Sequence, residues 1–559
     1  MKVSISWLKQ LVELNCSVEE LVNLLPLRSI STKEVADKFI ELDMKGYNRA
    51  DLLSMRGVAR EVAAITGSKL AFEEPQEAEF VWNKQDLPKV SIEIKDPQLA
   101  PVYCVAKIEG LKSGLSNESW IQKLEESEVR TVNNIADVTN LIMLEYGQPM
   151  HAFDARAVKD EKIIVRVAQK GERITTLDGK TRDLQTSDLL IADSQNALGI
   201  AGVMGGKDSE VNETTSTILL EAAIFDSISI RQTANRLALL SEASRRFQHG
   251  LTKTNLLKAM DAAIKMYQSL GGKLTAISLL GNLEDQARKI ILTKKKLDEL
   301  IGVKISTDQV ESYLKSLNLQ TRSAGSDFWE VTVPYWRLDV NIEEDVVEEV
   351  ARMYGYEKIP AEKVSQSQPL QKEEPIFQQI QDLRKKLVDL GLTEVQTYSF
   401  YSTDILRALG SDKEKLVKVA NPISAETEYL RDKVWPSLVE VVGKNLRKGF
   451  KDIGIFEIGK AFGVGKDGNP KESYRLTIAL CNNTDNPVAE LHQLAQNIID
   501  SLGVKLGHPP GGQDSYFHPK RVVGIEKDGK RMGNLAEVHL RMLNKLGIEK
   551  RVAILEINL

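Results

Sequence analysis

The chain is poor in the residue types that build metal knuckles and disulfide scaffolds. Its 559 residues include 3 cysteines and 6 histidines. Cys16, Cys104 and Cys481 stand far apart in sequence, which excludes a CxxC knuckle and argues against a disulfide framework. The histidines form no HxxxH or HExxH pair, so zinc chemistry is not expected. No apolar run approaches the roughly 20 residues that span a bilayer. The opening stretch MKVSISWLKQLVELN lacks the uninterrupted apolar core and small-residue cleavage site of a secretory signal. A cytoplasmic location away from membranes is the resulting expectation. Strong positive charge is missing too. A net charge of −5 argues against a surface that binds polyanions everywhere, while leaving room for a local basic patch.

What is present is ordinary soluble-protein composition, 42% hydrophobic and 27% charged. It is spread over a length that implies roughly four domains. Residues 1–85 read as an α/β unit: apolar residues recur at helical spacing from Trp7 to Leu25. A strand-like FIELD follows, then the helix DLLSMRGVAREVAAIT, stopped by Gly67. Residues 86–285 mix strand-like runs such as VYCVAKIEGL and DLLIAD with helices, and read as one α+β domain. Residues 286–362 form a smaller α+β segment ending in an acidic helix. Residues 375–559 open with a helix and continue with strands, including two Lys-Asp-Gly hairpin signals. Proline-bearing polar stretches at 72–88 and 361–374 read as linkers. The fold class expected is therefore α+β and multidomain.

Two clusters carry candidate chemistry. In YWRLDVNIEEDVVEEVARMYGY, at about 100° per residue, Ile342, Val346, Val350 and Tyr354 fall on one helix face. Asp345, Glu348 and Glu349 share a neighbouring arc, and Asp339 lies on the segment entering the helix. Hard carboxylate oxygens in that arrangement suit magnesium. Acidic residues near a helix start also interact favourably with the helix dipole in plain water. Geometry alone leaves both readings open. The second cluster spans VNNIADVTN, GQPMHAFD, GIAGVMGG, ILLEAAIFD and SEASRRFQHG. GIAGVMGG is no P-loop, because no GK[ST] follows it; taken alone it reads as tight turns. Glu221 interrupts an otherwise apolar run, where burying a carboxylate is costly unless it is paired. His151 has no neighbouring serine nucleophile to make a triad.

Taken together, these motifs resemble the β subunit of bacterial phenylalanyl-tRNA synthetases. The resemblance implies a tRNA-editing domain at 86–285, a small metal-carrying domain at 286–362, and a catalytically inactive class II synthetase-like antiparallel sheet domain at 375–559. It places Arg130, His151, Glu221, Ser241 and Ala243 in an editing pocket that hydrolyses tyrosine mischarged onto the phenylalanine tRNA. It also implies Asp339, Asp345, Glu348 and Glu349 as ligands of Mg²⁺. The implied partners are an α subunit in an α2β2 heterotetramer and tRNA(Phe), with ATP and phenylalanine bound mainly by α. The sequence departs from the family pattern in two places: Ser241 stands where threonine is frequent, and RFQHG replaces RFERG or RYERG. The segment between Pro26 and Asn48 is too short for the oligonucleotide-binding barrel of longer members. The match ends at LEINL, without the C-terminal anticodon-binding module. A freestanding deacylase and a non-enzymatic RNA-binding scaffold are the alternative readings. The long C-terminal sheet argues against the first, and Arg130, His151 and Glu221 argue against the second.

Overall fold

Serine caps punctuate the N-terminal segment more finely than its hydrophobic spacing suggests. Instead of one helix from Trp7 to Leu25, there are two, α1 (Ile5–Leu11) and α2 (Val18–Arg28). Ser17 ends the break between them by accepting the Glu20 amide, while Glu20 accepts the Ser17 amide in return, a reciprocal cap. Strand β1 (Lys2–Ser4) pairs with β3 (Phe39–Leu42), which pairs with β2 (Thr32–Val35). Helix α3 (Met55–Thr66) starts at the Ser54 cap and stops at Gly67, whose φ of 68° lies in the left-handed region.

This computed structural model describes residues 1–73, 80–84, 86–281, 285, 287–323, 328–361, 374–484, 486–509 and 516–559. The 361–374 linker expected from composition falls almost wholly outside the described residues, as does part of the 72–88 linker. Two units are compact, Met1–Glu362 and Lys363–Leu559. The first three predicted segments lie within the first unit.

The middle of the first unit is built on two sheets. One contains β4 (Ser91–Ile94), β7 (Lys162–Val167), β8 (Leu189–Ala192), β9 (Ala197–Ile200) and β10 (Met204–Gly205), ordered β10-β9-β8-β7-β4. The other contains β5 (Val102–Glu109), β6 (Met150–Asp154), β11 (Thr217–Ile224) and β12 (Lys273–Leu280), ordered β12-β5-β11-β6 and antiparallel throughout. Alternation divides the second sheet's residues between two cores. Cys104, Ala106, Leu220 and Ala222 pack on one face, in a core that also takes residues from helices α4 (Asn134–Tyr146) and α6 (Lys253–Ser269). Tyr103, Val105, Phe153, Leu219 and Ala223 pack on the other, in a core shared with the first sheet and with Phe247 of helix α5 (Glu242–His249). β11 is buried along almost its whole length, which accounts for a run that, after Thr217, is apolar and broken only by Glu221.

The last part of this unit is a three-stranded sheet, with β13 (Arg288–Thr293) and β14 (Gln320–Ser323) flanking β15 (Phe328–Val333), together with helix α7 (Glu343–Tyr354). Val346 and Val350 are buried as their spacing predicts. Ile342 is not: it is the N-cap residue and 55% exposed.

The second unit opens with α8 (Pro375–Asp389). Its seven-stranded sheet is ordered β16-β17-β18-β22-β21-β20-β19. The strands are β16 (Thr393–Glu394), β17 (Ile453–Val464), β18 (Pro470–Cys481), β19 (Lys505–Leu506), β20 (Phe517–Lys527), β21 (Lys530–Val538) and β22 (Ala553–Asn558). Only the β16–β17 pair is parallel. Both Asp-Gly signals are hairpin turns. Asp528 and Gly529 both take positive φ (49° and 73°), the backbone a tight two-residue turn between twisted strands requires.

Candidate functional site

Strand register brings His151 and Glu221 together. β6 and β11 are antiparallel neighbours, and the two residues sit directly opposite each other on the face turned toward the first sheet. Both line a small cavity of about 80 Å³, with Met150, Phe153, Ala243 and Phe247 and the run Gly199–Gly205 among its other walls. Larger clefts exist, including one of about 880 Å³ in the second unit, but its three carboxylates are already engaged, Asp404 by Arg407. Glu426 accepts from Thr403, and Glu440 accepts from Ser402 and Lys444.

The groups around the small cavity are not engaged in this way. Glu221 is 7% exposed, and burial pushes its carboxyl up to about 7. His151 stacks edge-on against Phe153, with ring centroids 4.5 Å apart. Its Nε2 is shut off from solvent without a hydrogen-bond partner, and burial lowers the imidazole to about 4, so it is neutral at physiological pH. The Tyr103 hydroxyl, on β5 beneath the same face, is buried without a well-formed hydrogen bond, and burial, helped by the nearby Glu221 carboxyl, holds its pKa well up. Buried polar groups are rarely left unpaired. The unpaired His151 Nε2 in the cavity wall, beside the buried Glu221 carboxyl, marks a place where a ligand can supply the missing bond.

The glycines of GIAGVMGG do more than turn the chain. A Cβ on Gly205 would lie 2.6 Å from the His151 Cε1, so β10 approaches the imidazole too closely for any side chain. Gly205→Ala is therefore expected to push the ring out of the cavity. Overpacking of this kind costs about 1–3 kcal/mol. A thermal melt, together with loss of ligand binding, would register it; an unaltered melt would show that the ring has room to retreat.

Ser241 and Ala243 are placed by α5. Ser241 caps the helix by accepting the Ser244 amide at 3.0 Å. It also donates to the Val203 carbonyl at 2.8 Å, fastening the cavity wall to the helix. Its hydroxyl is thus structural, while Ala243 contributes wall. Arg130 does not join the cavity wall. It lies exposed in the loop before α4. Two residues escaped sequence reasoning. Gln148 is fully buried and ties the GQP turn to β11 by donating to the Ala223 carbonyl at 2.9 Å. Arg246 is 1% exposed and bonds the Leu53 carbonyl and Glu242.

The acidic cluster behaves differently from a metal cage. Glu349 is buried, with Arg352 Nε at 2.9 Å from one carboxylate oxygen and Arg337 Nη1 at 2.6 Å from the other. Asp339 is held by both sides of the Arg337 guanidinium, at 2.9 and 2.7 Å. Asp345 turns back to accept the amides of Asn341 and Ile342. Glu348 points into solvent. Among the described residues no group of three or more His, Cys, Asp or Glu is arranged to hold an ion. As placed, these four residues do not fit Mg²⁺, and arginine takes the place expected of the cation. Arg352 also binds Glu61 of α3, which Arg49 binds in turn at 2.8 Å. Here the acidic helix is a clasp between α7 and the N-terminal segment.

Three family models match the chain: a B3/4 domain over residues 99–272, a tRNA synthetase B5 domain over 290–356, and the phenylalanyl tRNA synthetase beta chain CLM domain over 359–559. The phenylalanine–tRNA ligase beta subunit of Carboxydothermus hydrogenoformans is 32% identical over 549 residues, covering 94% of this chain and 67% of that protein. The chain belongs to the phenylalanine–tRNA ligase β-subunit family. The β subunits of Syntrophotalea carbinolica and Moorella thermoacetica are 33% and 34% identical, each match covering 91% of this chain. The chain spans 66% and 65% of the length of those two family members. The cavity lies within the B3/4 match and the arginine-bound acidic helix within the B5 match. No described helix is long and apolar enough to cross a membrane.

Proposed function

We propose that this chain is the β subunit of a cytoplasmic phenylalanine–tRNA ligase and that its small cavity hydrolyses tyrosine wrongly attached to tRNA(Phe). An α subunit, in an α2β2 assembly, would carry phenylalanine activation together with ATP and Mg²⁺. The observation that carries the editing reading is the buried Glu221 carboxyl opposite His151 in a cavity otherwise walled by apolar side chains and glycines.

In this reading a tyrosyl side chain enters the cavity and its phenol donates to Glu221. Phenylalanine brings no hydroxyl, so binding it would leave a buried carboxyl unpaired, and rejection follows from that cost. His151 is neutral and keeps a free Nε2 to hold the ester end or the attacking water. Water oxygen adds to the ester carbonyl carbon, the bond to the ribose oxygen breaks, and that oxygen takes a proton. Arg130, exposed outside the cavity, suits a tRNA phosphate.

Co-expression with an α subunit, followed by mass measurement and aminoacylation, tests the assembly. The expected product is a heterotetramer that charges tRNA(Phe) with phenylalanine. A stable complex that charges a different amino acid would refute the assignment.

A further inference from the structure

Resting on the editing reading, we infer that Tyr103 is a positioning residue for Glu221. Its phenol would hold one carboxylate oxygen, so that the other faces the substrate hydroxyl. The argument begins with register. Glu221 lies opposite His151 on β6 and opposite Val105 on β5, and Tyr103 lies opposite Ala223. Tyr103 is therefore the diagonal neighbour of Glu221 on the same sheet face, within reach of a long aromatic side chain. It is completely buried and lines no part of the cavity, so it cannot meet a ligand itself. Yet its hydroxyl meets no well-formed hydrogen bond, and the nearby Glu221 carboxyl is the group it interacts with, in a core where phenylalanine would pack as well.

Glu221 supplies the reason for a tyrosine there. Among the described residues, the titratable groups facing the carboxyl are Tyr103 from β5 and His151 from β6. The 197–206 stretch with β9 and β10 carries none, and α5 turns Ala243 and Phe247 to the cavity. No cation is present to orient the carboxyl. The phenol is thus the one neighbouring donor beneath it, and its interaction favours the ionised form against the opposing effect of burial. With a substrate phenol on the cavity side, the carboxylate would accept from both hydroxyls, one on each oxygen.

Tyr103→Phe keeps the ring and its packing, so the variant is expected to fold. Two measurements on the full chain separate positioning from plain structure. The first is the titration of the Glu221 carboxyl, followed by carbon-13 NMR and assigned by its loss in Glu221→Gln. Its midpoint should move to higher pH in Tyr103→Phe. The second is the ratio of Tyr-tRNA to Phe-tRNA hydrolysis, which should fall about tenfold, the worth of a hydrogen bond to a charged group. An active parent in which Tyr103→Phe moves neither quantity would overturn the role of Tyr103 alone. A parent that hydrolyses neither ester would defeat the editing reading and the recognition role together.

Discussion

Arg352→Ala is expected to destabilise the first unit by about 3–5 kcal/mol, the usual cost of removing one partner from a buried ion pair. Arg352 donates to both Glu61 and Glu349, and all three side chains are less than a tenth exposed. Without the guanidinium the two carboxylates would keep only Arg49 and Arg337 and would face each other across a dry gap. Adding Glu61→Gln to Arg352→Ala should therefore recover part of the loss, because it removes one uncompensated charge. The clasp also sets an acid limit. Its arginines hold Glu61 down at about 2 and Glu349 well below the usual carboxylate range. A carboxylate depressed on folding contributes stability above its unfolded pKa, about 4.3. That contribution is lost as pH falls toward the folded value. The parent should weaken between about pH 4 and pH 2, and Arg352→Ala should show a smaller pH dependence there. Urea denaturation across that range would measure both effects, and identical midpoints for parent and variant would contradict the clasp.

Glu221→Ala is expected to have the largest effect on function. A site that hydrogen-bonds a substrate hydroxyl discriminates against the deoxy analogue by on the order of 10⁴, whereas an apolar pocket separates such isosteres by only about a hundredfold. Replacing the carboxyl should therefore collapse the preference for Tyr-tRNA over Phe-tRNA toward the lower figure. Glu221→Gln supplies a folding control whose sign is fixed. The carboxyl is raised on folding to about 7, so the fold prefers its protonated form. Stability from this group is complete below about pH 4 and falls as pH rises through about 7. Glutamine avoids that fall and should match or exceed the parent's stability at neutral pH and above. Loss of discrimination in a variant at least as stable as the parent would assign the effect to chemistry rather than unfolding.

Much of this was legible in the sequence, for physical reasons that differ from place to place. The short, mostly apolar runs of β5 and β11 read as strands, and the Asp528-Gly529 pair read as a hairpin because few residues tolerate consecutive positive φ. A glutamate within ILLEAAIF was conspicuous because burial makes it costly. The one long N-terminal helix was misjudged, since its hydrophobic spacing concealed the reciprocal cap at Ser17. The acidic helix shows a deeper limit. Helical geometry placed Asp345, Glu348 and Glu349 on adjoining arcs, but it carries no information on partners distant in sequence. Arg49 and Glu61 reach α7 only through the tertiary fold. Tyr103 was hidden for the same reason: its meaning depends on the pairing of β5 with β11, which no local pattern encodes. Gly205 looked like a turn residue until the imidazole was found against it.

The most direct measurement is a structure of the full chain with a non-hydrolysable 3′-tyrosyl adenosine bound. The phenol oxygen should lie at hydrogen-bond distance from the Glu221 carboxyl, with the His151 Nε2 paired to the ester end or to a water beside it. An analogue seated elsewhere, or one that turns its ribose toward Glu221 and its phenol to solvent, would contradict the account.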